Sequence, residues 1–367
     1  MPDNPSGGGA GKKRGALRSI LAYREFSVFM ILLLEMAVFY VIIEAKFGRG
    51  LYFIKLDNLM LILRYSSFYA IAAVGAAMII ISFGIDLSPG SVMALTSVVT
   101  GYFYINLDWP LFPSCLAGLG VGVCCGALAS FMIVEIKLPA GLRERLPKRV
   151  EAPVSNFLAI QLPPFIATLG IMGIARGLAY IIMRGKTYID LSEKIPRDQV
   201  ILGYRYIDVL NFSPLVLMVV IALAFHWFMV RTRWGRQIHA VGGNETAARF
   251  SGVNVAGMKT IVYLTGAVLA SVSGLILAVV MGQGQQSLAL GYELDVIAAA
   301  VVGGASLTGG KGSVLGAVIG ALIFGVLHNG LNQITGAPYY ERFIVGLAVV
   351  VIVIIDQYTA KRQAKMM

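Results

Sequence analysis

Uncharged apolar runs about as long as a bilayer is thick recur along this chain, and no other feature limits its fold more. Residues 71–83, 212–230 and 343–355 hold almost no charge. A spanning helix needs roughly 20 mostly apolar residues. A large soluble helical core would need polar faces at helical spacing, and these runs lack them. Composition agrees: 57% of the 367 residues are hydrophobic and 13% charged, against about 45–50% and about 25% in soluble domains. The fold class is an all-α polytopic membrane protein.

Hydropathy predicts about ten transmembrane helices, at 27–43, 65–83, 90–107, 112–134, 156–183, 213–230, 260–280, 292–304, 313–333 and 342–356, some of them broken or re-entrant. An even number puts both termini on one side. With that side cytoplasmic, nineteen Lys and Arg fall inside and ten outside, the asymmetry expected of cytoplasmic loops. The domain plan follows. Residues 1–26 form a basic flexible tail, 27–356 the transmembrane domain and 357–367 a second tail. Within the domain, 135–155 is a cytoplasmic segment, 184–212 an outside loop and 235–253 a cytoplasmic polar loop.

The formal net charge of +11 invites a nucleic-acid reading, but its distribution excludes one. Lys12, Lys13, Arg14, Arg18 and Arg24 precede the first apolar run, and Lys361, Arg362 and Lys365 follow the last. No small-residue cleavage site follows 30–41, so the N-terminus is not expected to be a cleaved leader. Cys115, Cys124 and Cys125 share one apolar segment, with neither metal-ligand spacing nor a disulfide framework.

Three motifs interrupt the apolar runs. In GIDLSPGS, from Gly84, Asp86 sits between strongly apolar stretches. An ionisable residue there marks a functional position by default; the plainer alternative is a surface turn with Asp86 in water. Gly84, Pro89 and Gly90 break the helix, and Ser88 or Ser91 is a candidate cap for the next one. GSVMALTSVV, from Gly90, weakly echoes GSVLGAVIGA, from Gly312. In PPFIATLGIMGIARG, from Pro163, paired prolines break or bend the span. That places Phe165, Thr168 and Arg176 near a cavity, because non-helical backbone at membrane depth is tolerated only there or within protein. Arg176 either does this, snorkels outward or pairs with a carboxylate. In LGYELDVIAAAVVGGASLTGGKGS, Glu293 and Asp295 open an apolar half-span, either on a solute path or as dipole-complementing acids. The Gly-rich end is not a phosphate loop, since Lys311 is followed by Gly312 and position 305 is Ala.

The fourth motif, GRQIHAVGGNETAARFSG, is a polar, helix-forming island between two apolar runs. Asn244 is a plausible N-cap and Gly252 a plausible stop. Ala247 and Ala248 leave a smooth face, and Glu245 offers a charge to a partner. A helix this short is marginal alone, so it is expected to rest on its own protein or another.

NETAARFSG, preceded by Gly242-Gly243, resembles the EAA-type coupling loop of bacterial ABC import permeases. Together with GIDLSPGSVMAL, PPFIATLGIMGIARG and GYELDVIAAAVVGGASLTGGKGSVLGAVIGALIFGVLHNGLN, it resembles the ribose/galactose-type monosaccharide permeases of the branched-chain amino acid/monosaccharide superfamily, from Leu59 to Ile355 in order and spacing. The resemblance implies a multi-pass subunit of the bacterial cytoplasmic membrane, paired with a second permease subunit, identical or not. It implies a cytoplasmic ABC ATPase that carries the ATP and Mg, a periplasmic substrate-binding protein and a sugar substrate, with no cofactor, metal or catalytic residue on this chain. Coupling roles carry over to Gly243, Asn244, Glu245, Ala247, Ala248, Arg249 and Gly252. Pathway roles carry over to Asp86, Ser88, Ser91, Phe165, Thr168, Arg176, Glu293 and Asp295. The chain departs from the family in some 24 extra residues before QLPP at Gln161. These either touch the ATPase or form a neutral extension, which costs little.

A nucleoside or another small polar solute is the alternative cargo. A membrane-embedded enzyme would need clustered His and carboxylates, and His226, His239 and His328 form no metal motif in sequence. An ion-coupled secondary transporter would need intramembrane acids, for which Glu35 and Asp86 are the candidates.

Overall fold

The structure, a computed structural model, describes residues 24–134, 161–191, 194, 213–348, 350–351 and 354. The 135–155 segment, the last tail, most of the first and most of the 184–212 loop lie outside the described residues. The elements are α1 (Arg24–Phe47), a helical turn Gly50–Phe53, α2 (Leu56–Ile81), α3 (Pro89–Gly101) running into a π-turn Tyr102–Asn106, α4 (Leu111–Ile133), α5 (Pro164–Met183), α6 (Ser213–Arg231), α7 (Arg233–Gly243), α8 (Glu245–Phe250), α9 (Val255–Met281), α10 (Tyr292–Val302) and α11 (Val314–Asn332). Residues 341–348 are also helical. Two short strands, β1 (Ile189–Asp190) and β2 (Gln283–Gly284), pair antiparallel.

Among the described residues, α1, α2, α4, α5, α6, α9 and α11 are each long and apolar enough to cross a membrane. The chain is thus an all-α polytopic membrane protein. The shorter helices are informative. At 11 residues, α10 rises only ~16 Å, about half of a hydrocarbon core.

Two sequence expectations shift at helix starts. α2 begins at Leu56, well before residue 65, because polar residues of its first turn are absorbed into structure. Asp57 suits the positive end of the helix. Asn58 is buried and donates to Phe53 O at 2.7 Å and to Asn329 Oδ1 at 3.1 Å. Pro163 and Pro164 do not kink a span; they start α5, with Pro164 in its first turn. A proline there loses an N–H that had no helical partner anyway, and its fixed φ favours the helix.

α2 and α9 form the centre. Most of each is buried, as is α11, whereas α1, α4, α5 and α6 present mainly apolar side chains outward. Lipid tails give apolar helices little reason to associate, so close packing must hold them. Glycine supplies it. A Cβ on Gly75 of α2 would lie 2.8 Å from Gly266 Cα of α9, and one on Gly274 of α9 would lie 2.6 Å from Met93 O of α3. At those crossings backbone rests on backbone, with no flexible side chain to move aside.

Gly274→Leu is therefore expected to cost about 1–3 kcal/mol through overpacking, whereas Gly120→Leu, into open space, leaves stability unchanged. Thermal midpoints of both variants in the same detergent check this; equal midpoints would remove the backbone-contact account.

Candidate functional site

The polar island folds as two linked helices. α7 starts at Thr232, whose side chain accepts from Gly235 N at 3.2 Å. Asn244 ends α7 and begins α8, its Oδ1 accepting from Ala247 N at 2.9 Å. Such caps contribute about 1 kcal/mol. α8 stops at Gly252, which adopts φ +81°. Gly252 N donates to Arg249 O at 3.1 Å and Val253 N to Ala248 O at 3.0 Å. These two bonds make a Schellman stop, so a six-residue helix is closed at both ends by its own sequence.

Two expectations for this element change. Glu245 is not a free charge awaiting a partner. Its carboxylate accepts from Lys259 Nζ of α9 at 2.6 Å and pairs with Arg249 at 3.3 Å. Partial burial raises its pKa, but the hydrogen bond and charge of Lys259, then those of Arg249, outweigh it and hold it below its ordinary value. Ala247 and Ala248 do not share a smooth face: Ala247 is exposed, and Ala248 is buried against the bundle. Gly243 and Asn244 are exposed.

The Gly-rich loop after α10 wedges behind this element. Gly310 N donates to Ile81 O at 2.8 Å, and Gly310 O lies 3.0 Å from His239 Nδ1 of α7, the ring N–H donating. Ser306 N closes the loop on Lys311 O at 3.0 Å. Gly309 and Gly310 take φ of +76° and +73°, and a Cβ on Gly310 would lie 2.8 Å from Gly243 Cα. Glycine is required here both for the left-handed backbone and for its approach to α7. The α7–α8 element thus bears on the end of α2 through a loop that joins α10 to α11.

The GIDLSP break leaves the same end of α2. Asp86 is not in water. It is buried, and its Oδ1 accepts from Ser88 N at 2.8 Å and Ser88 Oγ at 2.7 Å. Ser88 occupies the cap position of α3, but its hydroxyl is given to Asp86 and caps no backbone N–H. Ser91 lies inside α3, and its buried Oγ has no partner among the described residues. Thr168 joins the second motif to the first: its Oγ1 accepts from Leu87 N at 3.2 Å and lies 3.3 Å from Ile85 O. Phe165, one turn earlier, is half exposed.

Arg176 bonds backbone carbonyls, with the Glu293 carboxylate near enough to act on its charge. Its Nη1 donates to Gln286 O at 2.7 Å and Leu288 O at 2.8 Å, tying α5 to the loop before α10. Glu293 follows that loop, close to Gly90 of α3, and its Oε2 is also buried without a protein partner among the described residues. Ser91 and Glu293 therefore bring unsatisfied polar atoms to the place where α3 and α10 begin, while the Gln286 amide lies by Lys186 beyond α5. Buried polar atoms of this kind call for water or a solute. Asp295 is buried on another face of α10, 3.5 Å from His328 Nε2, apart from α8.

The chain is matched over residues 58–353 by the family "Branched-chain amino acid transport system / permease component". The chain belongs to this permease family. It is 34% identical to the ribose import permease protein of Escherichia coli K12 over 308 residues, 83% of this chain and 87% of the relative. It is 29% identical to the fructose import permease protein of Rhizobium meliloti over 337 residues, 90% and 85% of the two chains. It is 28% identical to the autoinducer 2 import system permease protein of Photorhabdus luminescens over 305 residues, 83% of each. No solved structure matches the chain. As a permease component, it is a transport subunit and not an enzyme.

The permease has one residue at this site that the motif reading missed. Phe250, the last residue of α8, is 89% exposed. The only trace in the sequence is an aromatic residue inside an otherwise polar helix. Beside it a cavity of about 350 Å³ is lined by Glu245, Arg249, Lys259, Val134 and Gln161. The last two are the described residues that flank 135–160, so that segment leaves and rejoins the permease next to α8.

Because the folded Glu245 carboxyl titrates below its ordinary value of 4.5, its anchor on α9 is fully present above that value and is lost as pH falls through the lower folded one. The effect is modest for a partly exposed pair. Amide protection at Ala248–Phe250, corrected for intrinsic exchange, is expected to drop in that acid range. In Lys259→Met the drop should begin at higher pH; an identical acid limb would mean that Lys259 does not hold Glu245.

Proposed function

We propose that this chain is the membrane-spanning subunit of an ATP-binding cassette importer, moving a monosaccharide delivered by a periplasmic binding protein. The observation that carries the reading is α8. It is a short helix capped at both ends, with Phe250 exposed at its tip, on an otherwise apolar bundle. An exposed aromatic at the end of a fixed helix suits a groove on a second protein. That partner is a cytoplasmic ABC ATPase, which binds the ATP and Mg, while this chain binds neither. Gly243, Asn244 and Gly252 shape the helix, Glu245 and Arg249 fix it to α9 through Lys259, Ala248 seats it and Ala247 faces the partner.

The family's named relatives favour a sugar, with ribose and fructose in two of the names. The autoinducer 2 relative supports the second reading, another small polar solute. The path runs past Asp86, Ser88, Ser91, Phe165, Thr168, Arg176 and Glu293, where two motif breaks meet and polar atoms lack partners. The subunit works as a pair, identical or not, in the bacterial inner membrane. Lys and Arg counts favour ten passages with both termini cytoplasmic, which puts 135–155 on the ATPase side and 184–212 in the periplasm. Each of the ten apolar stretches contains helix among its described residues.

Phe250→Ala is expected to weaken ATPase binding about tenfold, equivalent to about 1.4 kcal/mol, while membrane insertion stays normal. Pull-down of the ATPase with the tagged permease, and ATP hydrolysis stimulated by the loaded binding protein, measure it. Unchanged recovery and unchanged stimulation would remove α8 as the coupling element. Impermeant labelling of Asn244→Cys and Lys194→Cys from each side of the membrane checks the topology. The two sites should react from opposite sides; reaction from the same side would overturn the ten-passage arrangement.

A further inference from the structure

α2, α10, α11 and the helix over 341–348 line a cavity of about 370 Å³, within the usual range of small-molecule sites, about 300–1,000 Å³. One wall is aromatic. The rings of Phe68 and Tyr292 lie parallel, 6.0 Å apart and 11° inclined. Tyr69 packs 4.7 Å from Tyr292 and stacks on the His328 imidazole at 5.4 Å and 13°. The facing wall is polar. His328 Nδ1 meets Glu341 Oε1 at 2.5 Å, and Asn329 and Asn332 line the same side.

His328 is held by Glu341 through Nδ1, while its buried Nε2 faces Asp295 without a hydrogen bond. A carboxylate in an apolar bundle is costly unless paired, and His328 lies between two, Asp295 at 3.5 Å and Glu341 at 2.5 Å. Neither carboxylate is left over for a cation. What remains to meet a solute are the Tyr65 phenol, the spare hydrogen-bonding capacity of the Tyr69 and Tyr292 phenols, which bond each other, the Asn332 amide and the outer aromatic surface. Phenols and amides both donate and accept neutral hydrogen bonds, and aromatic rings accept the C–H face of a saturated ring. That combination suits an uncharged polyhydroxylated ring better than an ion or an apolar molecule.

The position suits it too. The mouth lies near Leu61 and the exposed Asn332. From Leu61 to Tyr69 the wall descends ~12 Å along α2. The opposite end of α2, Ile81, contacts the loop behind α7. Tyr292 at the cavity floor adjoins Glu293, one of the partnerless polar groups beside α3.

We propose that this cavity is a monosaccharide-binding vestibule inside each permease chain, at the end remote from the coupling helix. The sugar would lie against Tyr69 and Tyr292, with its hydroxyls on Asn332 and the phenols. His328 positions the wall by holding Asp295 and Glu341. The substrate class rests on the importer reading above.

The test uses the full chain in lipid nanodiscs, with Cys115, Cys124 and Cys125 replaced by Ala and Leu61→Cys, at the cavity mouth, as the only thiol. Labelling by an impermeant maleimide is timed with D-ribose, D-fructose or choline present. At least one sugar should slow labelling about fivefold, near 1 kcal/mol of occupancy, and choline should not. Tyr292→Phe should keep the protection and Tyr292→Leu should lose it. Tyr65→Ala, at the cavity wall, serves as the loss variant if Tyr292→Leu is not monodisperse. Protection by choline alone, protection by neither sugar, or full protection in the loss variant would overturn the vestibule. ATP-driven uptake in proteoliposomes with the ATPase and binding protein separates the two claims. Protection without uptake keeps the site and removes the importer reading; uptake without protection does the reverse.

Discussion

One hydrogen bond, Gly310 N–H to Ile81 O at 2.8 Å, shows the constraint under which the whole fold is built. Ile81 ends a long buried helix, and a helix end inside a bundle leaves carbonyls that no water can satisfy. Here a loop from elsewhere in the chain must supply the donor. Only glycine can do so, because the loop backbone takes φ +73° at this point and passes 2.8 Å, measured from a built Cβ, from the backbone of α7. The same need recurs at the other break, where Arg176 donates to two carbonyls of the loop before α10.

This requirement joins parts that would otherwise be independent. The loop that satisfies α2 also contacts His239 and the Gly242-Gly243 end of α7, and α7 runs into α8 through the single residue Asn244. A displacement of α8 therefore meets backbone at each step, with few flexible side chains to absorb it. It would reach the ends of α2, α10 and α11 together, and packed interfaces of this kind shift between arrangements more readily than they deform. Glu245 and Lys259 extend the connection to α9, the other central helix.

Polar groups inside the bundle divide into two kinds. Asp86 and Asn58 are partnered closely by protein atoms and act as fixed structure. Ser91, Glu293 and Gln286 keep buried atoms without protein partners among the described residues. In an apolar medium such atoms are expensive, so they mark where water or a polar solute belongs. Ser91 and Glu293 lie where α3 and α10 begin.

The sequence alone determined the class of fold, the helical stretches and the caps of α8. These depend on local chemistry: uninterrupted apolar length, the short polar side chain of Asn244 and the φ freedom of Gly252. It marked the breaks at GIDLSP and PPFIATLG but misread how they are closed, because a hydrogen bond between Thr168 and Leu87 leaves no local signature. It read Glu245 as a free charge, since Lys259 lies on another helix. It separated His328 from Asp295 and Glu341, and it passed over Phe250, whose importance lies in having nothing packed against it. Those points belonged to the tertiary structure. Burial and pairing in hydrocarbon are settled between helices far apart in the chain, and a pattern along one helix carries no record of what stands opposite.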